Sequence, residues 1–263
     1  LTIRSTAADV TLSSGSVVSD SAGAATAAGA RILIDAANAT AGNVTITGSN
    51  TVTSSTTAAA AGGAIDVNAG NDLVVTGPAT APFTTVSSST SGAGAAGAVT
   101  LTAGSAATFT NARVRSTTTG AGAGGIVTAT TGTTLTSTGT EFSTNTSTAA
   151  DAGNVTLTAT GDADLTSTTV RSDTTGGGAA GQLSLTGATL DATGSTITTT
   201  TTAGGDAGLI DLNNAAILDS TNVVSSTTSA GATGAVDIDG AAITLRDGTV
   251  VSTLTTGTGS GNA

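Results

Sequence analysis

Paired carboxylates are the residues in this sequence best suited to chemistry. Asp162 and Asp164 lie two positions apart, as do Asp237 and Asp239, and this spacing places both side chains of a pair on one face of a β-strand. Such a pair resembles the carboxylates of enzymes that cleave polysaccharides. Those enzymes hold sugars with aromatic side chains and steer acidic polymers with basic ones, whereas this chain has no Trp or Tyr and only six Arg. We therefore expect solvated strand faces and no enzymatic activity.

Other catalytic groups are missing from the composition. The sequence contains no His, no Cys and no Lys. Imidazole bases, thiol nucleophiles, Schiff-base lysines and the usual zinc ligand sets are therefore excluded. No cofactor is expected on these grounds, with the exception of calcium.

Weak calcium binding is the second chemical hypothesis, because Asp residues are concentrated in the last part of the chain. Asp211 and Asp237 occupy the same position in successive repeats, which would place like charges about one strand spacing apart. A cation or solvent would have to relieve that repulsion, and carboxylate oxygens are calcium ligands. We predict a weak calcium site at Asp211, Asp237 and Asp239, with a solvated acidic face as the alternative.

A repeated strand unit positions these residues. The stretch at 152–158 reads Ala-Gly-Asn-Val-Thr-Leu-Thr, a glycine corner followed by apolar residues that alternate with polar ones, and it recurs along the chain. Alternation of this kind predicts a strand with one buried and one wet face. About nine copies of roughly 27 residues follow from the first inward residue expected in each copy. These residues are Leu1, Ile32, Ile65, Val99, Ile126, Val155, Leu183, Ile210 and Val236.

Each copy contains two further apolar clusters and a closing corner of Gly and Ala. The third cluster includes Val170 and Val250 and runs into Ser and Thr residues. We expect the corner glycines to adopt positive φ, which glycine reaches without steric cost. Three strands per copy without helical periodicity predict an all-β, right-handed parallel β-solenoid of about nine three-stranded coils. It would be one continuous domain over 1–263, with loop insertions near 36–41 and 77–83, the second containing both prolines.

Charge and hydropathy exclude two classes of partner. The net charge is -11 and only 9% of residues are charged, which argues against nucleic acid and anionic membrane surfaces as partners. No stretch approaches the roughly 20 apolar residues of a membrane span, so membrane insertion is not expected. Three Phe are the only aromatic residues, and the core must be thin and aliphatic.

The Gly-Asn-Val-Thr-Leu corner and strand at 153–157, the Ser/Thr-rich third strand and the closing Gly/Ala run resemble the repeats of filamentous-haemagglutinin-like adhesins. These are bacterial surface exoproteins of the two-partner secretion or autotransporter-passenger type. The resemblance implies a secreted structural or adhesive rod at the cell surface or in the extracellular matrix of a bacterium. A β-solenoid that binds or cleaves a host or matrix polysaccharide is the alternative function.

The sequence also predicts self-association through two surfaces. The chain begins in a strand at Leu1, Thr2 and Ile3 and closes on a corner at Gly261, Asn262 and Ala263. Joined, these segments parallel the internal corner and strand at 29–34, so we expect units to stack end to end into a fibre. A side-chain-poor ridge for lateral bundling is predicted at the corner residues Ala121, Gly122, Gly177 and Ala179.

Overall fold

The computed structural model describes residues 1–21, 29–37, 42–57 and 59–258, and these residues form an all-strand β-solenoid. It has about nine turns of about 28 residues each, which confirms the predicted fold class. Strands of successive turns pair in parallel, so the backbone ladder runs along the rod while each turn winds around the core.

The strands form three columns, labelled in chain order. The first column contains β1 (Thr2–Arg4), β4 (Ile32–Ala36), β7 (Ile65–Ala69), β10 (Val99–Ala103), β13 (Val127–Thr131), β16 (Val155–Ala159) and β23 (Val236–Ile238). The second contains β2 (Val10–Ser13), β5 (Val44–Thr47), β8 (Leu73–Thr76), β11 (Ala107–Thr110), β14 (Leu135–Thr138), β17 (Ala163–Thr166) and β24 (Thr244–Arg246).

The third column contains β3 (Ser16–Ser21), β6 (Thr51–Thr56), β9 (Thr84–Thr90), β12 (Ala112–Thr118), β15 (Glu141–Thr146), β18 (Thr169–Thr174), β20 (Thr196–Thr201), β22 (Asn222–Thr227) and β25 (Val250–Thr255). In the seventh and eighth turns, the first two strands merge into single long strands, β19 (Leu183–Thr193) and β21 (Ile210–Asp219). The first and second columns therefore belong to one 16-stranded sheet, and the third is a separate 9-stranded sheet.

Stacked aliphatic side chains fill the space between the columns. Inward residues alternate with outward ones along each strand, and those of the central turns are fully buried, as Val155 in β16 shows. The two buried phenylalanines meet edge to face, with 5.1 Å between the ring centroids of Phe109 and Phe142. Because no turn covers its own core, stability comes from stacking one turn on the next.

Two inward positions differ from the sequence prediction by one residue. Val127, not Ile126, pairs with Val99 and points inward; Ile126 is 47% exposed. In the last turn Val251, not Val250, follows Val223 in register. Both errors fall where two apolar residues are adjacent, so that alternation alone does not choose between them.

The sequence predicted positive φ at the corner glycines that precede the first column, and this prediction is wrong. Gly153, Gly181 and Gly208 do not adopt positive φ. They stack backbone on backbone instead, and a Cβ built on Gly181 would lie only 2.1 Å from the carbonyl oxygen of Gly153. Glycine is required there because of close approach between turns.

Positive φ is used at a different corner, the turn from the second to the third column. Asn111, Ser167 and Ser220 adopt φ of 49°, 49° and 50°, and Gly139 and Gly194 both adopt 59°. Each of these residues turns the chain between the two columns through a left-handed backbone conformation. Asn and Gly tolerate this conformation best, which explains part of the residue choice.

A column of buried hydroxyls joins the third column to the glycine corner. Ser172 accepts a hydrogen bond from the Gly181 amide at 2.7 Å and donates to the Gly153 carbonyl of the preceding turn at 3.0 Å. Serine and glycine are nine residues apart in each such pair. The same two bonds recur at Ser88, Ser116 and Ser225, whose partner amides belong to Gly97, Gly125 and Gly234.

The prediction of loops at 77–83 and 36–41 can be compared with the structure only in part. Residues 77–83 lie outside strands, between β8 and β9, and residues 79–82 are exposed. Ala36 ends β4, and residues 38–41 of the other predicted insertion lie outside the described residues.

Candidate interaction surfaces

The last turn leaves an open edge made of β23, β24 and β25, which we call the C-terminal edge. Leu245 and Val251 are inward residues of this turn, yet they are 53% and 40% exposed. Their partners one turn earlier, Leu218 and Val223, are 0% exposed. The apolar columns of the core therefore continue to the surface at this end.

The first turn leaves a second open edge, the N-terminal edge, made of β1, β2 and β3. Of the interface residues predicted from the sequence, Leu1, Thr2 and Ile3 lie here, with Ile3 packed against the core and Leu1 56% exposed. The predicted partners Gly261, Asn262 and Ala263 lie outside the described residues. Arg4 also lies on this edge, and its Nε donates to Asp35 Oδ2 at 2.7 Å.

Carboxylates are exposed on the outer face of the C-terminal edge. Asp211 and Asp237 are register partners in adjacent turns, as the sequence indicated, and Asp239 follows on the same face. In the described ranges, no group of three or more acidic side chains is placed to hold a metal ion. The predicted adjacency of Asp211 and Asp237 is present, and the weak calcium site stays a prediction.

A second acidic group lies on the outer face of the second column. Asp164 is the register partner of Asp191, and Thr189 donates to Asp162 Oδ1 at 2.6 Å. Partial burial raises the pKa of Asp164, and the charges of Asp191 and Asp162 raise it further. Asp162, Asp164 and Asp191 thus form a group of carboxylates that repel one another on the outer face of the second column.

Three of the six arginines meet on the outer face of the third column, in a cluster that the sequence reasoning missed. Glu141 lies between Arg115 of the preceding turn and Arg171 of the following turn and accepts hydrogen bonds from both, the Arg171 Nη2 bond measuring 2.8 Å. Arg171 Nη1 also donates to Asp173 Oδ2 at 2.8 Å. Arg113 is 4.0 Å from Glu141 and lies over the ring of Phe83.

The electrostatics of this arginine cluster follow from its geometry. Burial pushes the pKa of Glu141 up, but hydrogen bonds from Arg171 and Arg115 outweigh it and hold that pKa below its ordinary value. Burial raises the pKa of Asp173 despite its ion pair with Arg171. Three arginines and two acids leave the cluster with a local charge of 3 − 2 = +1, opposite in sign to the whole chain.

One signal in the sequence could have found this cluster. Glu141 is the only glutamate of the chain, and it lies about one repeat length from both Arg113 and Thr169, its register partners. Comparing arginines alone pairs Arg115 with Arg171, which lie two turns apart, and skips the turn between them. Aligning every turn by its inward residues places Glu141 in the turn between the two arginines and predicts the ion pairs.

The predicted lateral ridge is a stripe of small residues at the corner that follows the third column. Ala121 and Gly177 are exposed, and a Cβ built on Gly177 would lie 3.9 Å from the Cβ of Ala149 in the turn before it. Gly122 and Ala179 are half-buried; the Ala179 amide donates to Asp151 Oδ1 at 2.7 Å. Bundling through this stripe stays a prediction.

No protein family model, curated protein or solved structure matches the chain. None of the described residues forms a helix long and apolar enough to span a membrane.

Proposed function

We propose that this chain is a structural rod that extends end to end, through further copies of itself, into a fibre. The observation that carries the proposal is the exposure of inward apolar residues at the C-terminal edge, where Leu245 and Val251 continue columns that are fully buried one turn earlier. Open parallel edges also present unpaired backbone donors and acceptors. A further turn would satisfy both needs at once.

The two edges are compatible because the same columns end on both. Leu12 of β2 and Val17 of β3 are half-buried inward residues of the first turn, packed against the core from one side. They can cover Leu245 and Val251 of another copy. The resemblance of the repeats to those of bacterial surface exoproteins favours an extracellular location for such a fibre.

Electron microscopy and sedimentation velocity over a range of concentrations test this function. Nine turns at about 4.8 Å each give a unit roughly 40 Å long, so fibres should be chains of such units. Leu245→Lys should shorten the fibres, because an ammonium would be buried in the joint. Thr130→Lys, on an exposed outer position of β13, is the matched control and should leave fibre length unchanged. A folded chain that stays monomeric at all concentrations would contradict the proposal.

The arginine cluster supports a second candidate function, binding of an acidic polysaccharide. Arg113, Arg115 and Arg171 give the outer face of the third column a positive local charge on an otherwise acidic rod. Retention on immobilised sulfated or uronate-rich polysaccharide would support it, provided that Arg113→Ala together with Arg171→Ala abolishes retention. Equal retention of the variant and the parent chain would exclude this face as the binding site.

A further inference from the structure

We propose that the joint between two copies is fixed in register by an ion pair between Arg4 of one copy and Asp239 of the other. This inference rests on the end-to-end stacking proposed above and names the contact that aligns it. It follows from three observations: the column that Arg4 and Asp239 share, the apolar residues of the neighbouring columns, and the opposite charges of these two side chains.

Arg4 and Asp239 are the two ends of one outward column. The backbone of Asp239 extends the β21 ladder, since its amide donates to Leu212 at 2.9 Å and its carbonyl accepts from Ala215 at 2.7 Å. Asp239 is therefore next in register after Asn213. The column runs from Arg4 through Asp35, Asn68, Thr102, Thr130, Thr158, Thr186 and Asn213. A copy stacked on the C-terminal edge without slip would place its Arg4 beside Asp239.

The same stacking aligns the inward residues of all three columns. Val236 and Ile238 would meet Leu1 and Ile3, because each pair continues one register position of the first column. In the other columns Leu245 would meet Leu12 and Val251 would meet Val17. Every inward apolar residue named here then has an apolar neighbour.

Slipped stacking is unfavourable in the same columns. A slip of one residue would turn every inward side chain outward. A slip of two residues that left Arg4 beside the other acid, Asp237, would place Val17 against Thr249 in place of Val251. Because the three columns are joined by one chain, they slip together, and only the unslipped joint keeps both the ion pair and the apolar contacts.

Within the column that Arg4 and Asp239 share, the two edges carry opposite charges. Asp9 and Asp20 on the N-terminal edge and Arg246 and Asp247 on the C-terminal edge lie in other columns. The N-terminal edge presents Arg4, whose side chain is 46% exposed. The C-terminal edge presents Asp237 and Asp239 as exposed carboxylates. In the joint Arg4 would lie between Asp239 and its present partner Asp35, the same bracketed arrangement that Glu141 has between two arginines.

Charge-reversal variants test this pair. Asp239→Arg should weaken end-to-end association by roughly three- to tenfold, as expected when an exposed ion pair becomes a like-charge contact. Arg4→Glu with Asp35→Arg, which keeps the internal pair in reversed form, should weaken it similarly. Combining all three substitutions should restore association to the level of the parent chain. The association constant would be measured by sedimentation, and raised salt should shrink the difference between the parent chain and Asp239→Arg, because it screens the charges at the joint.

Controls separate the outcomes. Asp164→Arg makes the same change in net charge in the middle of the rod and should leave association unchanged. Asp237→Arg should weaken association less than Asp239→Arg; a larger effect would show the two-residue slip and overturn the proposed register. If the parent chain forms fibres that Asp239→Arg does not affect, the ion pair is wrong while the structural function stands. If the parent chain does not associate at all, both proposals fail.

Discussion

Glu141 shows how a single acid can hold three turns of the rod together. Its carboxylate accepts from Arg115 in the turn before and from Arg171 in the turn after. Removing it would take from Arg115 the carboxylate to which it donates and leave Arg171 paired with Asp173. Both guanidinium groups are partly buried, so the loss exceeds the small contribution of an exposed ion pair. The cluster thus links three successive turns along the outer face of the third column.

We predict that Glu141→Gln lowers the free energy of unfolding by about 1–3 kcal/mol at neutral pH. The pKa of Glu141 is lowered in the folded state, so its ionised form stabilises the fold above its unfolded pKa, and this contribution is lost as pH falls through the folded value. The difference between parent and variant should therefore shrink below about pH 4.5, the ordinary value for Glu. Urea unfolding at several pH values measures it.

Asp164→Asn is the control, because the pKa of Asp164 is shifted in the opposite direction to that of Glu141. Burial and neighbouring carboxylates raise the pKa of Asp164 in the folded state, so its ionised form opposes folding at neutral pH. The amide should be neutral or slightly stabilising there, and its advantage should vanish as the pH falls. A Glu141→Gln variant with the pH response of Asp164→Asn would show that the arginines do not hold the Glu141 carboxylate.

Adjacent apolar residues at 126 and 127 give a second prediction at the scale of one residue. Val127→Asp should unfold or strongly destabilise the rod, because a carboxylate would enter a dry aliphatic column without a partner. Ile126→Asp, at a position 47% exposed, should change the melting temperature little. Equal melting temperatures for the two variants would show that the register between β10 and β13 is wrong.

At the scale of the element, the glycine corners before the first column determine how closely two turns can approach. A Cβ on Gly181 would lie 2.1 Å from the Gly153 carbonyl oxygen, and one on Gly208 would lie 2.0 Å from that of Gly181. Distances this short require the backbone to move. From the third turn to the ninth this position is glycine, and the corner depends on the absence of side chains there, independently of any unusual φ.

Gly181→Ala should accordingly destabilise the rod by several kcal/mol, or prevent folding, since the methyl group would separate two turns along the ladder. Gly177→Ala is the matched control four residues earlier. Its Cβ would meet nothing closer than 3.9 Å, in ordinary contact with Ala149, so the melting temperature should hold or rise slightly. Thermal unfolding followed by circular dichroism compares the two, and similar losses would contradict the stacked corner.

The element scale also shows how far the sequence alone could lead. Periodic Val, Ile and Leu residues were enough for the fold class and the three strand columns, because strand alternation and repeat length are both visible in the letters. The role of the glycines was not visible, since the close approach of Gly153 and Gly181 is a contact between turns. The burial of serines such as Ser172 was also not visible, because a serine hydroxyl is found both in the core and at the surface. The sequence signal for a buried serine is the glycine nine residues later, such as Gly181, whose amide it binds.

At the scale of the whole molecule, the rod is a one-dimensional stack in which each turn is stabilised by its two neighbours. The first and last turns have one neighbour each, and the exposed inward residues Leu245 and Val251 show the consequence in the structure. In such arrays local stability depends on nearest-neighbour contacts. Amide exchange should therefore be fastest at the two edges and slowest in the central turns.

Fusing two copies end to end would test whether the edges complete each other. In the fused chain the last turn of the first copy and the first turn of the second should gain protection, because Leu245 would pack on Leu12 and Val251 on Val17 while the open ladders pair. Hydrogen exchange by mass spectrometry should then show slow amides in β23–β25 of the first copy and in β1–β3 of the second. The outer edges of the fused chain, which keep no second neighbour, should exchange as fast as those of a single copy and serve as internal controls. Fast exchange at the fused joint would mean that the two edges do not match, and end-to-end stacking would then have to be abandoned even if fibres form by another route.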